Sequence, residues 1–348
     1  MFESSFVVFA VGQALTLAAC RLAPDPSAVP NADRIVADHT VVDKYDTIPQ
    51  KWIDQVKTMW LNVPGESHSY GYRQGLVLLA SLNSTFAASA VDSGNPEGYT
   101  DQHLRVSRAT WTQYSSWSYS YGEQDWYTNS SAITNTKNHL NHCNSNDLTI
   151  AAFGFGWCWD MMWTNVPGGG LDPVYQVHWA GSSEGGPEGN LRWGLDPGDS
   201  SLTGNSICMD TYLNATQQYI DYCESIGSHT KVFFTTGPVD SYTGETAYQR
   251  QLKHEYIRNY VAADKRRILF DYADILAWDD EGEQNLDSWV DYLGNVHMYQ
   301  MIHADNLLNL AGTGTDPDCG HIGERGALRL GKALWWMLAR VAGWNGKP

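Results

Sequence analysis

Short apolar runs of strand length alternate with longer segments of helical period along most of this chain, and that alternation limits the fold more than any other feature. Residues 48–56 carry apolar side chains at helical spacing behind Pro49, a residue that suits a first helical turn. Residues 57–63 form an apolar run, stopped by Pro64-Gly65, and helical period resumes over 70–82. The pattern then predicts strands at 104–107, 148–153, 231–236 and 267–271. Helices are expected at 131–140, 209–226, 247–262 and 323–341. Strands separated by helices call for crossover connections, and so for a parallel, doubly wound α/β sheet in a single domain spanning 48–348.

Residues 161–207 break the rhythm with Gly, Pro, Ser and Trp, including Gly168-Gly169-Gly170, and read as a long loop insertion. Loops of that length in a compact domain are usually lids or binding surfaces. Aromatic residues crowd such segments: Trp111, Tyr114, Trp117, Tyr119, Tyr121, Trp126 and Tyr127 between strand ends, then Trp157, Trp159, Trp163, Tyr175, Trp179 and Trp193. The chain has 15 Trp and 19 Tyr in 348 residues, and rings placed among Ser, Gly and Asn suit stacking on the apolar faces of sugars. A net charge of −17 argues against nucleic-acid and anionic-membrane partners and fits an uncharged glycan better than a polyanionic one.

The apolar run 6–19 has signal-peptide length and ends at Leu17-Ala18-Ala19-Cys20, which resembles a bacterial lipobox. Segment 1–20 is therefore expected to direct export, with lipid on Cys20 as the sole membrane attachment, and the proline-containing 21–47 to form a tether and N-terminal extension. Cys143, Cys158, Cys208, Cys223 and Cys319 remain, enough for two disulfides and one free thiol. No Cys-x-x-Cys spacing is present, so no zinc site is expected. His139 and His142, three apart on a predicted helix, are expected to face solvent.

Two motifs carry chemistry. Gly65-Glu66-Ser67-His68-Ser69 sits at the turn after the first long strand, where a hydroxyl projects from the carboxyl edge of the sheet beside a helix N-terminus. Asp318-Cys319-Gly320-His321 precedes the final helix, and Asp and His three apart on a turn can align a carboxylate with one imidazole nitrogen, freeing the other to take a proton. The pair resembles the SGNH/GDSL hydrolase superfamily, whose Gly-Asp-Ser-Leu-Ser block matches residues 65–69 with Glu for Asp and His for Leu. The resemblance implies a three-layer α/β/α, flavodoxin-like fold, with Ser67 as nucleophile, His321 as general base and Asp318 orienting His321. α/β-hydrolases are excluded by order, because their Gly-x-Ser-x-Gly follows several strands and here Ser69 fills the last Gly position.

The interior blocks depart from the family. Arg108-Ala109-Thr110-Trp111 follows the second predicted strand without the family's Gly, and Gly154-Phe155-Gly156-Trp157-Cys158-Trp159-Asp160 lacks its Asn. One lost oxyanion donor costs roughly 100- to 1,000-fold in rate. The expected donors are the Ser67 N–H and the backbone at Gly156; His68, Trp157, Trp159 and Asp240 are expected to contact substrate. Together these expectations describe an exported, cofactor-free serine esterase that removes acetyl-type groups from a carbohydrate. A lyase or glycosidase on the same fold, and a non-catalytic glycan-binding lipoprotein, are the alternatives.

Overall fold

The computed structural model describes residues 34–127, 130–157, 209–240, 242–290, 294–314 and 319–347, plus four short strands between 158 and 208. Seven strands form one sheet: β1 (Val36–Ala37), β2 (Trp60–Asn62), β3 (Ala88–Val91), β4 (Leu104–Ser107), β5 (Ala152–Phe153), β6 (Lys231–Thr235) and β7 (Ile268–Phe270). Their spatial order is β1-β7-β6-β5-β2-β4-β3, and every pairing is parallel. The five central strands follow the 2-1-3-4-5 order of the flavodoxin-like doubly wound fold.

Successive side chains of each strand enter different layers, as the two-residue strand period demands. Leu61, Ala152, Phe233, Ile268 and Phe270 join one core with α1 (His39–Val42), α2 (Gln50–Lys57), α3 (Ser69–Leu82), α8 (Tyr272–Ala277) and α9 (Glu324–Val341). Trp60, Phe153, Val232, Phe234 and Leu269 join the other with α4 (Glu123–Trp126), α5 (Ser130–Ser145), α6 (Met209–Ser225) and α7 (Gly244–Ala262). Burial on both faces explains why these strands read as continuous apolar runs. The architecture is three-layer α/β/α, as expected.

Helices α3 and α9 approach backbone to backbone. A Cβ on Gly75 would fall 1.8 Å from the Ala327 carbonyl oxygen, and one on Gly331 would fall 2.3 Å from the Gly75 oxygen. Only glycine fits there, so the first long helix and the last lie in direct contact with their N-terminal turns side by side.

Three expectations need correction. The tether was placed at 21–47, yet residues from Val36 are part of the domain: β1 pairs with β7, and Val41, Val42 and Ile48 are buried. Burying them excludes a free linker over that stretch. Cys143, Cys223 and Cys319 are buried and form no disulfide, which leaves too few cysteines for two bridges. A hairpin of β8 (Leu286–Val290) and β9 (Val296–Gln300), with no counterpart in the expected pattern, packs on α7. Residues 1–33, with the signal-like segment, lie outside the described residues, as does most of the insertion. Its described parts are two antiparallel pairs, Gly170–Leu171 with His178–Trp179 and Ser182–Gly185 with Leu191–Arg192. No helix among the described residues is long and apolar enough to cross a membrane.

Candidate active site

Chain order reverses between β2 and β5, and open α/β sheets place ligands outside the carboxyl ends of strands at that point. Ser67 and Gly156 are there. Past the last regular pair the two strands are joined by a Gly65–Gly156 bridge, in which Glu66 N–H donates to Gly156 O at 2.9 Å and Gly156 N–H to Pro64 O at 3.0 Å. Gly65, at φ +136°, turns the chain sharply so that residue 67 stands out at the sheet edge before α3 begins.

His321 meets Ser67 from the other side, 254 residues later in the chain. Its Nε2 lies 2.9 Å from Ser67 Oγ, and both residues are exposed. The approach requires Gly320, whose Cβ would stand 2.7 Å from the Ser67 carbonyl oxygen. His321 itself has φ +66°, a left-handed conformation that a non-glycine residue holds only where its surroundings impose it. Cys319 N–H donates to Ile322 O at 3.1 Å and closes this turn. Partial burial lowers the His321 pKa below its ordinary 6.5, so its neutral, proton-accepting form prevails at neutral pH. Asp318 lies outside the described residues.

His68 is not the substrate contact expected of it. It is buried beneath the pair, its ring 4.8 Å from that of His321 and its Nδ1 3.2 Å from the Trp157 carbonyl oxygen. A carbonyl only accepts, so Nδ1 carries the proton; that N–H also lies 3.5 Å from Ser67 Oγ. Burial, reinforced by His321, pushes the His68 pKa down to about 3. At neutral pH both imidazoles are neutral, and His321 is the more basic of the two.

The remaining expected contacts also move. Trp157 is a core residue, with Nε1 donating to Thr235 O at 3.1 Å and its ring packed 4.3 Å from that of Tyr212. Its contribution to the site is the carbonyl that holds His68. The Gly156 N–H is spent on Pro64 and does not serve an oxyanion. What Gly156 supplies is space, since a Cβ would come 2.4 Å from that of Ser69. Ser67 N–H has no acceptor among the described residues and stays free for a developing oxyanion. Asp240 is buried against the Arg250 guanidinium, and its Oδ1 also accepts the Tyr242 N–H at 2.9 Å, so it is a structural ion pair and not a site wall. Trp159 lies outside the described residues.

A cleft of about 660 Å³ opens beside Ser67, lined by Glu66, Tyr70, Arg73, Arg108, Tyr119 and Tyr121 among others. Of the aromatic wall expected from the sequence, Tyr119 and Tyr121 do line it. Trp126 and Tyr127 are instead fully buried in the core shared with α5 and α6. Trp111 stacks on His142 with ring centroids 3.8 Å apart. His139, expected to face solvent, is buried: its Nδ1 accepts the Trp111 N–H and its Nε2 donates to Asn62 Oδ1, each at 3.0 Å. That polar handle locks α5 to β2.

Arg108 is a cleft residue that the sequence pattern does not single out. The available signal was position, because Arg108 immediately follows β4 and so stands at the same carboxyl edge as Ser67. Two side-chain groups, Asp38-His39-Asp274 and Asp279-His303-Asp305, have ligand atoms close enough to share a cation. Neither lines the cleft, and both are internally bonded: His39 Nδ1 lies 2.5 Å from Asp274 Oδ2, and Asp279 Oδ1 accepts the N–H groups of Glu281 and Glu283. Searches of protein-family models, curated proteins and solved structures find no match to this chain.

Proposed function

We propose that the protein is an exported serine esterase of SGNH type that removes an acetyl-type group from a carbohydrate. The observation that carries this reading is the 2.9 Å contact between Ser67 Oγ and His321 Nε2, exposed at the switch point of the sheet and opening on the cleft. A serine hydroxyl is a weak nucleophile until a base takes its proton, and a neutral imidazole at hydrogen-bond distance is that base. As Ser67 Oγ attacks the ester carbon, His321 Nε2 receives the hydroxyl proton and the carbonyl oxygen becomes an oxyanion beside the free Ser67 N–H. Collapse breaks the bond to the sugar oxygen, which leaves with the proton from His321. Water, deprotonated by the same imidazole, then releases the acyl group from Ser67. Asp318, in the same turn as His321, is assigned to orient the imidazole.

The carbohydrate part of the reading rests on the tyrosine-lined cleft beside Ser67. A fluorophosphonate probe followed by peptide mapping tests the reaction: label is expected on Ser67, lost in His321→Ala, together with acetate release from O-acetylated oligosaccharides. Label on another residue, or none on the folded protein, overturns the proposal.

A further inference from the structure

Most charged groups around the cleft are already engaged. Arg73 is buried and donates from Nε to Asp92 at 2.6 Å, and from Nη1 to Ser69 O, Ser69 Oγ and Val63 O at 3.0, 3.2 and 3.3 Å. Asp125 Oδ2 accepts the Gly122 N–H at 3.1 Å. Arg108 differs. Its guanidinium makes no hydrogen bond or ion pair with any described residue, and its Nε is buried without a partner. The Tyr119 hydroxyl, which lines the same cleft, is likewise buried with no partner among the described residues. Two donors left unsatisfied in one cleft are costly unless a ligand completes them, because buried polar groups in folded proteins are almost always paired.

We infer that Arg108 and Tyr119 form a receptor for a carboxylate on the sugar, so that the substrate is an acylated uronate. The inference rests on the esterase reading of Ser67. A guanidinium presents parallel N–H donors that match the two oxygens of a carboxylate, and the tyrosine hydroxyl adds a third donor. Glu66, a cleft carboxylate with no hydrogen bond or ion pair from its side chain among the described residues, is available to accept from sugar hydroxyls, which a uronate also carries. A single carboxylate per recognised sugar is compatible with a chain whose net charge is −17, since Arg108 acts locally where Arg73 and Asp92 are already paired.

Two substrates differing only at C6, O-acetylglucuronate and O-acetylglucose, isolate the receptor. The wild-type protein is expected to prefer the uronate in kcat/KM, mainly through KM. Arg108→Ala should reduce that preference about ten- to a hundredfold, with Arg108→Lys recovering part of it and Tyr119→Phe giving a smaller loss. An undiminished preference in Arg108→Ala, or no preference in the wild type, overturns the inference. Calorimetric titration of glucuronate into Ser67→Ala protein reads the receptor without turnover. Binding lost on adding Arg108→Ala, in a double variant with unchanged melting temperature, supports it; unaltered binding, or tighter binding of glucose 6-phosphate, refutes the carboxylate assignment. If Ser67 proves unreactive while glucuronate still binds through Arg108, the esterase reading falls and the receptor stands.

Discussion

Two regions of this molecule where ionisable side chains converge are built on opposite principles. Behind the carboxyl ends of β6 and β7, Arg250 reaches Asp240 and the Gln300 carbonyl, while Arg258 donates to Asp271 through Nε at 2.6 Å and Nη2 at 3.0 Å and to Gln300 Oε1 at 3.0 Å. Thr236 Oγ1 adds a further bond to Asp271 at 3.0 Å. In that region guanidinium and carboxylate groups pair with one another out of solvent, although Arg250 Nε has no partner among the described residues. At the Ser67 cleft the groups are incompletely partnered among the described residues: an exposed hydroxyl facing an imidazole, an N–H without an acceptor, a guanidinium without a partner. Mutual pairing of charges marks a structural brace. Vacant hydrogen-bonding capacity beside the exposed Ser67 hydroxyl is what a binding site would offer.

Substitutions should separate the two regions cleanly. Ser67→Ala is expected to lower ester turnover by roughly 10⁴- to 10⁶-fold while the melting temperature stays within a degree or two, as measured by acetate release and thermal denaturation. Asp240→Ala should do the reverse, destabilising the fold by about 3–5 kcal/mol in denaturant titration by stranding the buried Arg250, with the folded fraction still hydrolysing ester. A large activity loss in the folded fraction of Asp240→Ala would erase the distinction drawn between them.

Acid sharpens the same comparison with smaller effects. His68 and His139 have pKa values held down to about 3 by burial, and His254, buried with both ring nitrogens unpartnered, is also lowered. In the unfolded chain each titrates near 6.5, so the unfolded state takes up protons first. Stability should be complete above that value and fall as pH drops from 6.5 toward 3, by about 1.4 kcal/mol per pH unit for each histidine. The activity limb has a different origin. His321 must be neutral to accept the Ser67 proton, and since its pKa is lowered, kcat/KM should rise with pH and reach its plateau with an apparent pKa below 6.5. Brief assays in which activity is regained on neutralisation distinguish that limb from unfolding.

Much of this was legible from residue order alone. Strands β2, β4, β6 and β7 announce themselves because both faces are buried, which forces runs such as Val232-Phe233-Phe234. Strand β1 escapes notice because two residues carry no period, and its partner β7 supplies the reason it exists. The Ser67 and His321 turns could be read from their places after a strand and before a helix. Trp157 and His68 were misjudged for a common reason: a loop-like sequence, Gly-Phe-Gly-Trp, conceals that Tyr212 of α6 covers the ring and that the carbonyl behind it anchors the imidazole. Arg108 shows a further limit. Its residue type is visible in the sequence, but whether a guanidinium is already paired depends on every element around it.

The glycine contact between α3 and α9 has a consequence for the chain as it is being made. Ser67 is synthesised well before the imidazole that faces it, which lies 254 residues downstream in the turn leading into α9, the helix seated against Gly75. Until then the hydroxyl is an ordinary alcohol. On the esterase reading, docking of α9 acts as a completion check: a nascent or C-terminally clipped chain carries Ser67 without its base and is expected not to attack esters before the fold is closed.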